Sequence, residues 1–210
     1  MKINLNRWAI VLIGFFSLLL SSEANAANAD EARSMFYKAW NQAMGPQGCS
    51  LGYSVNIIGI YKTQGNIVMK GKKQHFTEKR YCAWNDGKKL YAVDLKKKKV
   101  ELHNPQSPNR DKYQSKFTFK PEEYNYTWTN EKEGIVIALD AKKGAASSVK
   151  HAKVVLDRRT HYPIMLHIKV AFFWTKVYIY NFKPGNINDN VFVYPASRFK
   201  NYKFKNCWPD

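Results

Sequence analysis

The chain has 210 residues, with 34 Lys and Arg against 16 Asp and Glu, and a formal net charge of +18. That length gives one ordinary domain with enough chain for a sizeable core. The charge favours anionic partners through its overall field without choosing between lipid head groups, acidic polysaccharide and nucleic acid. The five histidines form no HExxH or spaced metal set, and no G-x-S-x-G elbow is present, so catalysis has no motif to stand on.

The first element is a leader. Lys2 and Arg7 precede an apolar stretch from Trp8 to Leu20, and Ala24-Asn25-Ala26 puts small residues where a signal peptidase cuts. The stretch is too short to cross a bilayer, which takes about 20 residues. Positions 1–26 are therefore expected to be removed, leaving 27–210 as one secreted domain. Ala27, not Cys, follows the cut, so no lipid anchor is expected there.

Next comes a helix over about 29–44, capped by Asn28 or Asp30, with Glu31 placed as in a capping box. Met35, Phe36, Ala39, Trp40, Ala43 and Met44 recur at helical spacing on one face, and Gly45-Pro46 ends the element. From Gly52 the period becomes two. Strands are expected at 52–61, Gly65–Lys70, Gln74–Trp84, Lys89–Asp94 and around Val100–Leu102. Asp86-Gly87 marks a tight hairpin, and Lys96-Lys97-Lys98-Lys99 a solvated tip. Asn104–Asn130 reads as an irregular crossing segment. Strands resume at Gly134–Asp140, His151–Asp157, Pro163–Val170, Lys176–Phe182, Val191–Tyr194 and Tyr202–Lys205. Asp140, Asp157 and Asp189, at strand ends, read as turn caps. No long helices alternate with these strands, so an antiparallel meander is expected instead of βαβ units.

Taken in order, the opening helix, GNIVMK at Gly65–Lys70 and WNDGKKLYAVD at Trp84–Asp94 resemble the periplasmic outer-membrane lipoprotein carrier (LolA-like) family. So do the segments Ala138–Val170 and Asn186–Phe204. The resemblance implies a mainly β fold with helices (α+β): a strongly curved, unclosed antiparallel sheet, or half-barrel, whose concave apolar face is covered by the N-terminal helix. It also implies a periplasmic, non-enzymatic carrier or chaperone without cofactor or metal, which takes acyl chains of lipoproteins or other lipids toward the outer membrane. The implied partners are an inner-membrane donor and an outer-membrane acceptor; from the positive charge, transient contact with an anionic membrane surface is expected as well. A monomer is expected and nucleic acid is not favoured. Where the best-known carriers place an early-strand Arg that holds the lid, this chain has Gly71-Lys72-Lys73-Gln74-His75-Phe76.

The candidate cavity and lid residues are Met35, Phe36, Trp40, Met44, Ile57, Ile67, Met69, Phe76, Trp84 and Met165. Each acyl CH₂ moved from water into such a cavity gains roughly 0.8 kcal/mol. An alternative reading is a secreted basic module for acidic glycan, anionic lipid surface or nucleic acid. It would use Tyr178, Tyr180 and Phe182 as an exposed row rimmed by Lys169, Lys176 and Lys183. For the three cysteines, either all are free or Cys49 pairs with Cys207 and Cys82 stays a thiol. Tracing Gln74–Trp84 as one strand puts Cys82 roughly 30 Å from Cys49, which excludes a bridge between those two.

Overall fold

The computed structural model describes residues 28–57, 61–106, 119–170 and 173–208. The leader at 1–26, and residues 107–118 of the crossing segment, lie outside the described residues. Helix α1 occupies 28–44. Twelve strands follow: β1 (Cys49–Ile57), β2 (Tyr61–Lys70), β3 (Lys73–Glu78), β4 (Tyr81–Asn85), β5 (Leu90–Asp94), β6 (Lys99–His103), β7 (Tyr124–Glu131), β8 (Gly134–Ala141), β9 (His151–Leu156), β10 (Pro163–Val170), β11 (Phe173–Pro184) and β12 (Lys203–Asn206). They form one sheet in the order β12-β6-β5-β4-β3-β2-β1-β11-β10-β9-β8-β7, curled but unclosed. Every pairing is antiparallel except β12 on β6, which is parallel. This is the fold class expected from the sequence.

Directly paired residues point to the same face of a sheet, so the register divides the side chains into two sets. The inner face carries α1. Ala32, Phe36 and Ala39 of the helix pack with Ile135, Ile137 and Leu139 of β8, Ala152, Val154 and Leu156 of β9, and Tyr124 and Tyr126 of β7. Phe36 is at the centre, 5.3 Å from the Tyr126 ring and 5.9 Å from that of Trp40. The buried tyrosines keep their hydroxyls satisfied by donating to Val149 O and Pro121 O, both at 2.6 Å. At the start of α1 the sequence suggested a capping box. Asn28 and Glu31 instead grip β7: Asn28 exchanges two hydrogen bonds with the Trp128 backbone, and Glu31 accepts from Trp128 Nε1 at 3.0 Å. At the other end Gly45 O accepts from Gly71 N, so α1 runs across the inner face from β7 to the β2–β3 turn.

The outer face holds two further clusters. Cys82, Trp84, Val93 and Val100 are covered by Phe199, Tyr194 and Tyr202 of the C-terminal segment. Val136, Val155 and Met165 form a smaller one. The segment expected as a strand at Val191–Tyr194 is not one: Val191 and Phe192 end a 3-10 turn, Asp189–Phe192, and a second follows at Ala196–Phe199. Its aromatic side chains serve as a cover, not as ladder partners. Conversely, the last part of the expected irregular stretch, from Tyr124, is β7. Its alternation of buried Tyr124 and Tyr126 with exposed Asn125 and Thr127 gives it one face to bury.

One misreading changes the geometry downstream. Gln74–Trp84 is two strands, because Lys79-Arg80 turns the chain without glycine, proline or asparagine. The register then sets Phe76 opposite Ala83 and His75 opposite Trp84.

Candidate functional site

The inner-face register builds the candidate site. Tyr53, Val55 and Leu51 of β1, Ile67 and Met69 of β2, and Phe76 of β3 share this face. On the other side of β1, Val177 and Ile179 of β11 continue it. Ile67, Met69 and Phe76 are each half-buried, and none of the packed clusters of described residues includes them. Beside them opens a cleft of about 560 Å³ lined by Met44, Met69, Lys72, Lys73, Gln74 and Asn85 among others. Met69, Gln74 and Asn85 occupy one row across β2, β3 and β4, and Met44 contributes from the end of α1.

The sequence-predicted residues therefore separate into groups. Met44, Ile67, Met69 and Phe76 lie on the open inner surface or its cleft. Met35, Phe36 and Trp40 pack against β7–β9 and Phe119, where they hold the helix down. Ile57 falls in the inner-face register opposite Tyr61, and its side chain lies outside the described residues. Two are corrections. Trp84 sits on the outer face, 5% exposed, stacked on His75 at 4.6 Å and covered by Phe199. Met165 also faces outward, because a bulge between Pro163 and Met165 shifts the β10 register by one.

Sequence reasoning missed the polar boundary of this surface. Tyr53, Gly65 and Glu78 are register partners across β1, β2 and β3. The Tyr53 hydroxyl donates to Glu78 Oε1 at 2.5 Å, passing over Gly65. A Cβ at Gly65 would come within 2.4 Å of Thr77 O, so this position has no room for a side chain. Toward β6 the inner face becomes ionic. Glu101 accepts from Lys99 and faces His103 at 3.3 Å, and the Lys99 ammonium holds its carboxyl below the usual range. Asp94 is likewise held low by its hydrogen bond from Arg80. At the cleft rim Asp189 binds Lys70 at 3.0 Å and Lys73 at 2.8 Å, which pins the C-terminal segment to the β2–β3 turn. Asp189 is thus an ion-pair partner, whereas Asp157 caps its turn as expected, accepting from Arg159 N and Thr160 N.

Of the two cysteine arrangements the sequence left open, the structure has the one without a bridge. All three are free. Cys49 is fully buried on β1, and Cys207 donates its N–H to Leu102 O of β6, five strands away in the sheet. The exclusion of Cys49–Cys82 stands for a different reason than expected: the two lie three strands apart.

Among the described residues no helix is long and apolar enough to cross a membrane, and no group of three or more acidic, His or Cys side chains is placed to hold a metal.

A curled, unclosed sheet with a helix on its inner face and an open apolar strip beside that helix defines the class of molecule. The same fold occurs in an uncharacterized conserved protein from Thermus thermophilus, at a TM-score of 0.56 and 8% identity, over 84% of this chain and 99% of that one. Other similar structures include a domain named for outer-membrane lipoprotein sorting from Vibrio parahaemolyticus, with TM-score 0.41 and 10% identity over 82% of this chain and all (100%) of that one. A LolA superfamily protein from Nitrosomonas europaea has TM-score 0.40 and 8% identity, over 78% of this chain and 97% of that one. No protein-family model and no curated protein matches the sequence.

Proposed function

We propose that the protein is a non-enzymatic periplasmic carrier that holds an acyl chain on the inner face of its sheet, beside α1. The observation that carries this reading is the strip of Ile67, Met69 and Phe76: apolar, half-buried, outside the packed clusters, and leading to a cleft with Met44 at its wall. Each acyl CH₂ withdrawn from water there gains roughly 0.8 kcal/mol, so a long chain supplies on the order of 10 kcal/mol before ordering costs. The two methionines adapt to a chain that varies in length. The charged rim at Lys72 and Lys73 suits an amphiphile whose polar end stays at the cleft mouth. Such a carrier would receive its ligand from an inner-membrane donor and release it to an outer-membrane acceptor.

The test is binding of a fluorescent fatty-acyl probe. Ile67→Asp puts a charge in the apolar strip and should weaken the probe roughly tenfold or more, with the far-UV spectrum unchanged. Full affinity in that folded variant would overturn the assignment of this face. The other reading of the sequence, a basic binding surface, has its own observation on the opposite face.

A further inference from the structure

The outer face opposite α1 bears a second organised surface. Trp174, Tyr178 and Tyr180 of β11 are 47%, 47% and 41% exposed, among the few large apolar side chains of the described residues that are. The row is not quite the one the sequence suggested. Asn181 adopts a left-handed conformation (φ 53°) and the register slips between Tyr180 and Lys183. Phe182 therefore leaves the row and packs on Tyr162 at 5.2 Å, while Trp174 joins it at the other end. Tyr180 is held in place: its ring lies over Gly52, where a Cβ would come within 2.0 Å, and its hydroxyl donates to Tyr53 O.

Around this row the register collects cations. Lys62, Asn56, Lys176, His167 and Lys153 are successive partners across β2, β1, β11, β10 and β9. Lys169 pairs with Trp174 and Lys183 with Ser50. No carboxylate occupies these positions. The local field registers on His167, whose pKa is lowered by burial first and then by Lys176 and Lys153, with Glu131 and Glu133 opposing.

We propose that this outer face docks the protein on an anionic lipid bilayer, with Trp174, Tyr178 and Tyr180 entering the head-group layer and Lys62, Lys153, Lys169 and Lys176 meeting lipid phosphates. Trp and Tyr, apolar with a polar tip, suit that layer, and lysines reach past it to the charged groups. The shape argues for a surface over a linear polyanion. The patch spans five adjacent strands and seven residues of β11, roughly 20 Å each way. A single nucleic-acid or glycan strand is tracked by a groove, not by a broad patch. β1 and β11 also lie mid-way in the strand order, so the patch sits away from both sheet edges.

The experiment is flotation of the purified protein with phosphatidylcholine vesicles made with and without phosphatidylglycerol. Binding should need phosphatidylglycerol and fall as salt rises. The Lys62→Gln/Lys176→Gln pair should lose roughly twenty-five-fold, at about fivefold per lysine. Trp174→Ser should also weaken binding. Quenching of tryptophan emission by bromine-labelled phosphatidylglycerol vesicles should drop in Trp174→Tyr, a change mild enough to leave the fold intact. Ile67→Asp should float normally, and the lysine pair should bind the acyl probe normally, so this proposal and the carrier reading fail separately. Equal flotation with neutral vesicles, undiminished flotation of the lysine pair, or unchanged quenching in Trp174→Tyr would each overturn it. Binding to DNA or acidic polysaccharide with no flotation would overturn it in favour of a polyanion site.

Discussion

Asn28 is locked to Trp128: its Nδ2 donates to Trp128 O at 3.1 Å and its Oδ1 accepts from Trp128 N at 3.0 Å. One side chain thus supplies β7, an edge strand, with two backbone partners and fixes where α1 begins across the inner face. Asn28→Ala leaves both Trp128 backbone groups without these partners, at a cost of about 1–3 kcal/mol. Thermal unfolding should start lower, and amide exchange should accelerate in 28–44 and in β7 before the rest of the sheet. A uniform loss of protection with no such bias would contradict the clamp.

Trp84→Ala separates the two faces. The side chain is buried between His75, Tyr194 and Phe199, so truncation should cost about 3–5 kcal/mol of stability and leave acyl-probe affinity unchanged. A loss of probe affinity at temperatures where the variant is folded would return Trp84 to the ligand surface.

The position of Trp84 also shows where the sequence stopped being informative. The helix, the hairpins at Asp86-Gly87 and the lysine run, and most strands follow from period and turn chemistry, which are local. The turn at Lys79-Arg80 has no such chemistry, so Phe76 and Trp84 read as one strand face although the hairpin sets them on opposite sides. The bulges at Pro163–Met165 and beside Asn181 have the same effect on Met165 and Phe182. Face assignment in a sheet depends on parity, and each unseen residue of turn or bulge reverses everything after it. The candidate strip was legible only where no hidden irregularity intervened, at Ile67, Met69 and Phe76.

Gly65→Ala tests the polar boundary. The added Cβ meets Thr77 O at 2.4 Å and the Glu78 side chain at 2.9 Å, so β2 and β3 must separate locally. The expected destabilisation is about 1–3 kcal/mol, as for overpacking elsewhere. Urea midpoints that match the unmodified protein would show that the strands relax at no cost.

Glu123 gives the fold an acid-sensitive joint. It accepts from Ser147 N at 2.7 Å and Ser147 Oγ at 2.8 Å, and these bonds hold its carboxyl below the usual range. A carboxyl lowered on folding contributes stability that is present above the unfolded value of about 4.3 and is lost as pH falls through the folded one. Urea unfolding from pH 7 downward should therefore show stability falling in that acid window. Glu123→Gln should flatten the fall, and an identical slope in the variant would remove Glu123 from the account.

The three free cysteines differ widely in their surroundings. Cys49 is fully buried on β1, and desolvation pushes its thiol up to about 11. Cys82 is buried in the outer-face cluster and is raised for the same reason. Cys207 is half-exposed beyond β12, beside β6. Six strand spacings of about 4.8 Å separate β1 from the β12 row that Cys207 continues, roughly 29 Å along the sheet, whereas bridged Cα atoms lie within about 7 Å. Because the thiolate is the reactive form, burial and a raised pKa both slow attack. An aromatic disulfide reagent at neutral pH should therefore modify Cys207 first in the native protein. Cys49 and Cys82 should react only as the sheet opens, at a rate that rises with denaturant. Non-reducing peptide mapping after oxidation should yield no Cys49–Cys207 peptide. Recovery of that peptide from folded monomer would mean that the C-terminal segment leaves β6, and the parallel pairing of β12 would fall with it.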